Sequence, residues 1–333
     1  MIIRKVITHV LDKNAGTPIL SEVEQAITPE IDVFYQKILR KILRDDDLRL
    51  AKFSDYNNNI VRVSTDHVIY DDKDFITASQ SIAACLFNVM KASPELDSCD
   101  LAVVSFTYKD VNQAAVVMLD YKSLYNHSID VVDDCVQVKL IGNDMGIQAG
   151  GRIKNAIIVE PSGVNDEWQL RILDKQGERQ ERDTAFVTGF VNGEKVLDER
   201  YMTKMFVRVS EGFIQNTYGT EPKVIEDTLS VLYYNVKEGQ EIDLEFMANE
   251  LFGGDDYRKT LYKGIFKEHG ITNFVIDESW VKKKLKRRKL QTNTKIKISG
   301  LAEDFEDPAK FRMVKNENGT VDLHIKNVKF IEI

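Results

Sequence analysis

Two apolar runs joined by a short polar turn constrain this 333-residue chain more than any other feature. "LAVVSFTY" (101–108) and "AAVVMLDY" (114–121) are nearly continuous in apolar residues, and "KDVNQ" separates them. Strands with such a pattern are typically buried on both faces. The two runs therefore predict central strands of an antiparallel sheet, with helices covering at least one face.

The remainder of the first half supplies further strands and the covering helices. Apolar residues at helical spacing predict a helix from Pro29, with Thr28 as its N-cap, and a second helix over 73–92. Further strands are predicted over 1–11, 135–141, 153–159 and 168–173.

The character of the sequence changes near Gly189–Gly193. From Glu194 to Gly270 the patterns predict only helices, two of them at 241–252 and 255–268. After Gly270 strands return, ending in a hairpin that turns at Asn318-Gly319, with a bulge near Lys326–Asn327. We predict an α+β protein with two domains, 1–190 and 191–333. The first holds an antiparallel sheet with covering helices, and the second a helical region followed by a C-terminal β-hairpin region.

The segment "WVKKKLKRRKLQTNTKIKISG" (280–300) concentrates positive charge in an acidic chain. Seven of the eight residues from Lys282 to Lys289 are basic, although the net charge of the whole chain is −8. The basic residues of the segment are Lys282, Lys283, Lys284, Lys286, Arg287, Arg288, Lys289, Lys295 and Lys297. Removing these nine from the 45 basic residues leaves 36 against 53 acidic residues, a net charge of −17 for the remainder. A polyanion should therefore be bound locally.

The pattern around this basic segment is compatible with a helix followed by a strand. If Asp277 caps a helix, the apolar residues Ile276, Trp280, Val281 and Leu285 form a narrow stripe on one side of it. "TKIKIS" instead predicts a strand with Thr294, Ile296 and Ile298 inward and the two lysines outward. In both geometries the cations face solvent, so we expect the basic side chains over 282–289 to be mostly exposed.

A run of like charges repels itself, so it most often faces a polyanion and is less often a merely solvated surface. Lysine outnumbers arginine here, and no aromatic pair or zinc-finger spacing accompanies the run. Both features favour contacts to phosphate over sequence-specific contacts to bases. We therefore predict electrostatic binding of double-stranded DNA. An adaptor that recruits an acidic protein surface remains open.

Two other features are weaker candidates for function. The helix pair at 241–268 would place Arg258, Lys259, Lys263 and Lys267 on its second helix, but "FGGDD" is more typical of an ordinary helical hairpin than of a helix-turn-helix. Asp120-x-Lys122, with Asp100 on the neighbouring strand, matches the short pattern of metal-dependent nucleases. The nuclease remains an alternative reading.

The rest of the composition predicts a cytoplasmic protein. No stretch is long and apolar enough to span a membrane, and three cysteines without a C-x-x-C pair fit a reducing compartment. The five histidines lack ligand spacing, and no phosphate-binding glycine motif occurs. We predict no cofactor, no metal site and no enzymatic activity; a homodimer is a reasonable expectation for such a chain.

Several long segments resemble the bacterial nucleoid-associated protein family known as YejK or NdpA. They are "VITHVLDKNAGTPILS", "LAVVSFTYKDVNQAAVVMLDYKSLYNH", "YYNVKEGQEIDLEFMANELF" and "SWVKKKLKRRKLQTNTKIKI…DPAKFRMVKN". The resemblance spans nearly the whole chain. It implies a cytoplasmic protein that associates with the nucleoid and its DNA, and it transfers no catalytic residue.

Overall fold

The computed structural model describes residues 1–70, 73–132, 135–147, 150–161, 169–219, 221–292, 294–316 and 320–329. The chain divides into two compact units, Met1–Val196 and Leu197–Ile333. The mixed α+β class predicted from the sequence is confirmed. That 1–190 and 191–333 are separate domains stays a prediction.

The first unit is built around a seven-stranded antiparallel sheet in the order β1-β3-β4-β7-β8-β2-β9. Two further strands, β5 and β6, form a separate two-stranded ribbon. The strands of this unit are β1 Ile2–Leu11, β2 Leu48–Phe53, β3 Cys99–Tyr108, β4 Val111–Asp120, β5 Lys122–Val132, β6 Cys135–Gly146, β7 Asn155–Val159, β8 Leu170–Asp174 and β9 Gly193–Lys195.

The predicted hairpin is confirmed as β3 and β4, which pair from Cys99↔Asp120 to Tyr108↔Val111. Alternate residues enter different cores, since Leu101 and Val103 pack in one and Ala102 and Val104 in the other. Both faces of the sheet are thus buried, which is why residues 101–104 of β3 and 114–119 of β4 are all apolar.

Helices cover both faces of this sheet. The helices of the unit are α1 Pro29–Leu43, α2 Ile60–Tyr70, α3 Phe75–Ala92, α4 Lys175–Gln180 and a π-helical segment Phe186–Val191. Helix α1 packs on one face, and α2, α3 and the π-helical segment pack on the other. Thr28 caps α1 as predicted, accepting a hydrogen bond from the Ile31 amide at 3.4 Å. Helix α2 and strand β5 were not predicted.

The second unit is a helical core followed by two hairpins. Its helices are α5 Glu199–Thr217, α6 Pro222–Glu238, α7 Leu244–Phe252, α8 Asp256–Glu268, α9 Glu278–Lys284 and α10 Ala302–Glu306. Its strands are β10 Glu241–Ile242, β11 Phe274–Val275, β12 Arg287–Gln291, β13 Lys297–Leu301, β14 Phe311–Lys315 and β15 Val321–Ile325.

The expectation of helices alone over 194–270 is wrong in two short places. Strand β9 includes Glu194 and Lys195, and β10 pairs with β11 through Ile242↔Phe274. Both strands are set by partners distant in sequence, so local periodicity does not reveal them.

The C-terminal hairpin is confirmed as β14 and β15, while its predicted turn at Asn318-Gly319 lies outside the described residues. The bulge predicted near Lys326–Asn327 is wrong. The strand ends at Ile325, and Asn327 takes a left-handed φ of 57°. Val328 does not follow the alternation of Val321, Leu323 and Ile325, and its side chain is half exposed; a bulge would have turned it toward the same face as theirs.

None of the helices within the described residues is long and apolar enough to cross a bilayer.

Candidate nucleic-acid interface

Helix α9 begins where the sequence predicted. The Asp277 carboxylate accepts hydrogen bonds from the Trp280 amide at 3.0 Å and from the Ser279 hydroxyl at 2.6 Å. Trp280 and Val281 are buried in the core of the second unit, and Leu285 packs against it. The predicted apolar stripe is therefore confirmed, and it turns the lysines of the last turn, Lys282–Lys284, toward solvent. The partial negative charge at a helix C-terminus stabilises cations there.

After Leu285 the chain turns into the β12–β13 hairpin, in which Arg288 lies opposite Gly300 and Leu290 opposite Ile298. These four residues share the inner face, because directly paired and alternate residues lie on one side of a hairpin. A β-carbon at Gly300 would lie 3.1 Å from the ring of Phe305, so the ring of α10 packs closely under this face.

The opposite face of the hairpin carries cations. Arg287 and Lys297 occupy alternate register positions on this outer face, and both are exposed. Lys295, at the tip of the hairpin, is exposed as well. The hairpin therefore separates an inner face that packs on the protein from an outer face that is basic and open to solvent.

The strand predicted for "TKIKIS" begins later than expected. Thr294 and Ile296 are exposed rather than inward, and only Ile298 is partly buried on the inner face. The reason is a turn. The Ile296 amide donates to Thr292 Oγ1 at 3.0 Å, and Lys295 takes a left-handed φ of 69°. Such a turn interrupts the alternation of inward and outward side chains that was predicted for these six residues.

Exposure of the basic side chains is confirmed for most of the segment. The exposed cations are Lys282, Lys283, Lys284, Lys286, Arg287, Lys295 and Lys297. Arg288 is the exception, because its side chain is only 17% exposed. Its guanidinium lies 3.5 Å from Glu226 Oε1 and 5.7 Å from the Phe305 ring centroid, so packing and ion pairing hold it on the inner face. The side chain of Lys289 lies outside what the structure describes.

Ion pairing differs among the exposed cations of the segment. Lys282 pairs with Glu278 at 2.6 Å, one helical turn earlier, and both side chains are more than 60% exposed. Such exposed pairs contribute little and exchange readily for other anions. Within the described part of the chain, Lys286, Arg287, Lys295 and Lys297 form no ion pair. Arg287, Lys295 and Lys297 on the hairpin, with Lys286 immediately before it, are thus exposed without a described ion pair.

Sequence reasoning missed Lys237, which lies on α6 far from the basic segment in sequence. It lines an open depression together with Lys282 and Lys286, and its Nζ lies 3.0 Å from Glu306 Oε1. Glu303 borders the same depression. The floor of this depression is therefore of mixed charge, unlike the outer face of the hairpin. No local pattern around Lys237 signals this placement.

Three of the four cations on the second helix of the competing pair are paired with acids. On α8, Arg258 lies 3.3 Å from Asp255, Lys259 2.7 Å from Asp256, and Lys263 2.5 Å from Glu245. Gly253, in the connection, takes a positive φ of 54°, as expected for a tight helical hairpin. Most of the positive charge of α8 is thus balanced by acids beside it.

The residues of the nuclease pattern are engaged with other groups. Asp120 Oδ2 lies 2.9 Å from Lys154 Nζ, and Asp100 accepts a hydrogen bond from the Tyr121 hydroxyl at 2.7 Å. Burial raises the pKa of Asp100, so this carboxyl is a weaker acid than usual. Across the described residues, no group of three or more acidic, histidine or cysteine side chains is arranged to hold a metal ion. This geometry gives the pattern no support.

The fold and the segment together define an antiparallel α+β protein with an exposed cationic hairpin on its second unit. Comparison with protein-family models gives a match to the nucleoid-associated protein YejK over residues 7–331. The chain therefore belongs to this family, and the resemblance noted in the sequence is confirmed. No curated protein matches the chain.

Family membership gives the chain a nucleoid-associated role, at the bacterial chromosome within the cytoplasm. The family description names no enzymatic activity and no contacting residue. The means of association must therefore be inferred from the residues themselves.

Proposed function

We propose that this protein binds double-stranded DNA electrostatically, with little sequence specificity, through the basic segment 282–297. The outer face of the β12–β13 hairpin, with Lys286 beside it, carries the proposal: its cations are exposed and form no ion pair among the described residues. Because the chain outside the nine cations of the basic segment has a net charge of −17, the segment supplies nearly all the attraction to phosphate.

Phosphate contact rather than base reading follows from the kind of surface. The cations lie on a short hairpin and at a helix end, and lysines outnumber arginines among them. Lysine binds phosphate as a point charge, and a contact to phosphate carries no direct sequence information. Association with the nucleoid, shared by the family, then needs no defined target sequence.

The proposal is tested by removing cations without disturbing the fold. A four-glutamine variant at Lys286, Arg287, Lys295 and Lys297 changes the net charge from −8 to −12 and leaves the packed Arg288 in place. A control with glutamine at Arg258, Lys259, Lys263 and Lys267 has the same net charge. Fluorescence anisotropy with two duplexes of unrelated sequence measures the affinities.

We expect the hairpin variant to lose at least tenfold in affinity for both duplexes alike, and the control to lose much less. A larger loss of affinity in the α8 control than in the hairpin variant would indicate that the helix pair is the binding site. Wild-type protein that fails to bind either duplex at about 100 µM and low salt would contradict DNA binding, since non-specific binding falls at or below that range. An acidic protein surface would then be the better partner for the segment.

A further inference from the structure

Strands β5 and β6 form a ribbon that is separate from the seven-stranded sheet. They pair from Lys122↔Gly146 to Val132↔Cys135, and no other described helix or strand packs along them. The ribbon follows directly on β4 and returns toward β7, which are neighbours in the sheet. Eleven residues of extended chain reach about 35 Å. The ribbon is therefore an arm inserted between two central strands.

The two faces of this arm differ sharply in composition. Paired residues share a face, and the pairs His127↔Leu140, Ile129↔Val138 and Val131↔Val136 lie on one side. Together with Tyr125, they give this apolar face six large side chains, exposed by 62–76%: Tyr125, Ile129, Val131, Val136, Val138 and Leu140.

The other face of the arm is mostly polar. It carries Asn126, Ser128 and Asp130, and opposite them lie Ile141, Lys139 and Gln137 in that order. Lys139 Nζ lies 3.1 Å from Asp130 Oδ2 across the ribbon. Only this face is suited to solvent, so the arm has the alternation of a sheet that is covered on one side.

The apolar face needs a cover. A lone two-stranded hairpin is marginal in water unless its apolar face packs on something, and a contiguous exposed patch of this size marks an interaction surface. None of the three cores of the described residues includes these six side chains.

We propose that the apolar face of the arm packs against the same face of a second copy of this chain, forming a homodimer. The six residues expose on the order of 700 Å², close to the roughly 800 Å² that each partner contributes to a standard interface. A two-fold axis matches an apolar strip with an identical strip, and two ribbons of equal twist pack face to face at about 10 Å.

The charge on this surface favours a second copy over other occupants. Among its described residues this face carries no carboxylate, lysine or arginine, so it offers no charge to DNA or to a charged protein at neutral pH. A partner must be as apolar and as extended as the arm itself, and a second copy of the chain supplies an identical surface. This inference is independent of the DNA site proposed above, because no residue is shared.

Sedimentation or light scattering of the full chain from about 1 to 100 µM tests the proposal, a range in which an interface of this size is populated. We expect a dimer of twice the 38.1 kDa chain mass. Ile129→Thr with Val138→Thr keeps β-branched residues, and so the ribbon, but makes the centre of the face polar. Val138→Asp places a charge there.

Both apolar-face variants should raise the dimer dissociation constant at least tenfold. Matched changes on the polar face, Ser128→Thr with Gln137→Thr and Gln137→Asp, should leave it within about twofold. Circular dichroism checks that each variant is folded. A wild-type chain that is monomeric throughout this range would overturn the proposal. So would a dimer that survives both apolar-face changes, or one that is lost with the polar-face changes.

Discussion

The guanidinium of Arg288 lies 3.5 Å from the carboxylate of Glu226 on helix α6, while the adjacent Arg287 is exposed on the other face of the hairpin. Neighbouring arginines in a basic run thus have different surroundings. One is held by an ion pair and by the Phe305 ring, and the other has no partner among the described residues. We therefore expect Arg288 to stabilise the fold and Arg287 to be available for binding.

Replacing Arg288 with alanine should lower the free energy of unfolding by about 1–2 kcal/mol, because a half-buried pair and a ring contact are lost. Arg287→Ala should change it by less than about 0.5 kcal/mol, as for most surface positions. Urea denaturation measures both. Equal losses in the two variants would mean that the inner and outer faces are not distinguished in solution.

His9 makes stability depend on pH. Its Nδ1 accepts a hydrogen bond from the Ser21 amide at 3.0 Å, so Nε2 carries the proton and donates to Ser79 Oγ at 3.1 Å. Burial lowers the pKa of His9 to about 4. An unfolded histidine titrates near 6.5. Between these values the unfolded chain binds a proton that the folded chain does not, so stability falls as the pH falls.

The contribution of His9 to this loss is about 3 kcal/mol from pH 7 to pH 4. His9→Asn keeps an acceptor for the Ser21 amide but does not titrate. The stability difference between wild type and variant, from urea denaturation, should therefore shrink or reverse on acidification. Because all carboxylates are common to both proteins, parallel pH profiles would contradict a buried neutral His9.

Asp174 is fully buried and is satisfied by several donors. It accepts hydrogen bonds from the Thr184 hydroxyl at 2.8 Å and the Gly177 amide at 3.0 Å, and Lys195 Nζ lies 3.8 Å away. Asp174→Ala should destabilise the protein by about 3 kcal/mol, since several buried donors lose their acceptor. Thr184→Val removes one donor and should cost about 1 kcal/mol. Thermal or urea unfolding that ranks Thr184→Val as the more severe would be inconsistent with this network.

The Asp120-x-Lys122 pattern should not support DNA cleavage. Its aspartate is paired with Lys154, and Asp100 is hydrogen-bonded to Tyr121, so neither is placed with a third ligand around a metal ion within the described residues. Purified protein with Mg²⁺ or Mn²⁺ should leave supercoiled plasmid intact on a gel. Metal-dependent cutting that disappears in Asp120→Ala would restore the nuclease.

Strong local signals made much of the fold predictable. The continuous apolar runs of β3 and β4, the cap at Thr28 and the cap at Asp277 each depend on residues close in sequence. Strand β9 and the β10–β11 pair depend on distant partners and were missed. The β5–β6 arm was only partly predicted, because its apolar residues alternate on a ribbon without a core of its own.

The candidate site was predictable in charge but not in orientation. The charge distribution of the sequence identifies the basic segment. It does not show that Arg288 is packed while Arg287 is exposed, because that difference depends on Glu226 and Phe305. Nor could it show that Ile296 is exposed, because the turn that exposes it needs a left-handed residue at Lys295. Lysine is an uncommon choice for such a conformation.

The dependence of DNA affinity on salt is the most direct test of the central claim. Each phosphate neutralised on duplex DNA contributes about −0.9 to the slope of log K against log salt, so four to six simultaneous contacts give a slope of roughly −4 to −5. The four-glutamine variant at Lys286, Arg287, Lys295 and Lys297 should flatten this slope by about 0.9 for each lost contact. The charge-matched α8 variant should keep the wild-type slope. A hairpin variant that retains the wild-type slope and affinity would contradict binding through the basic segment.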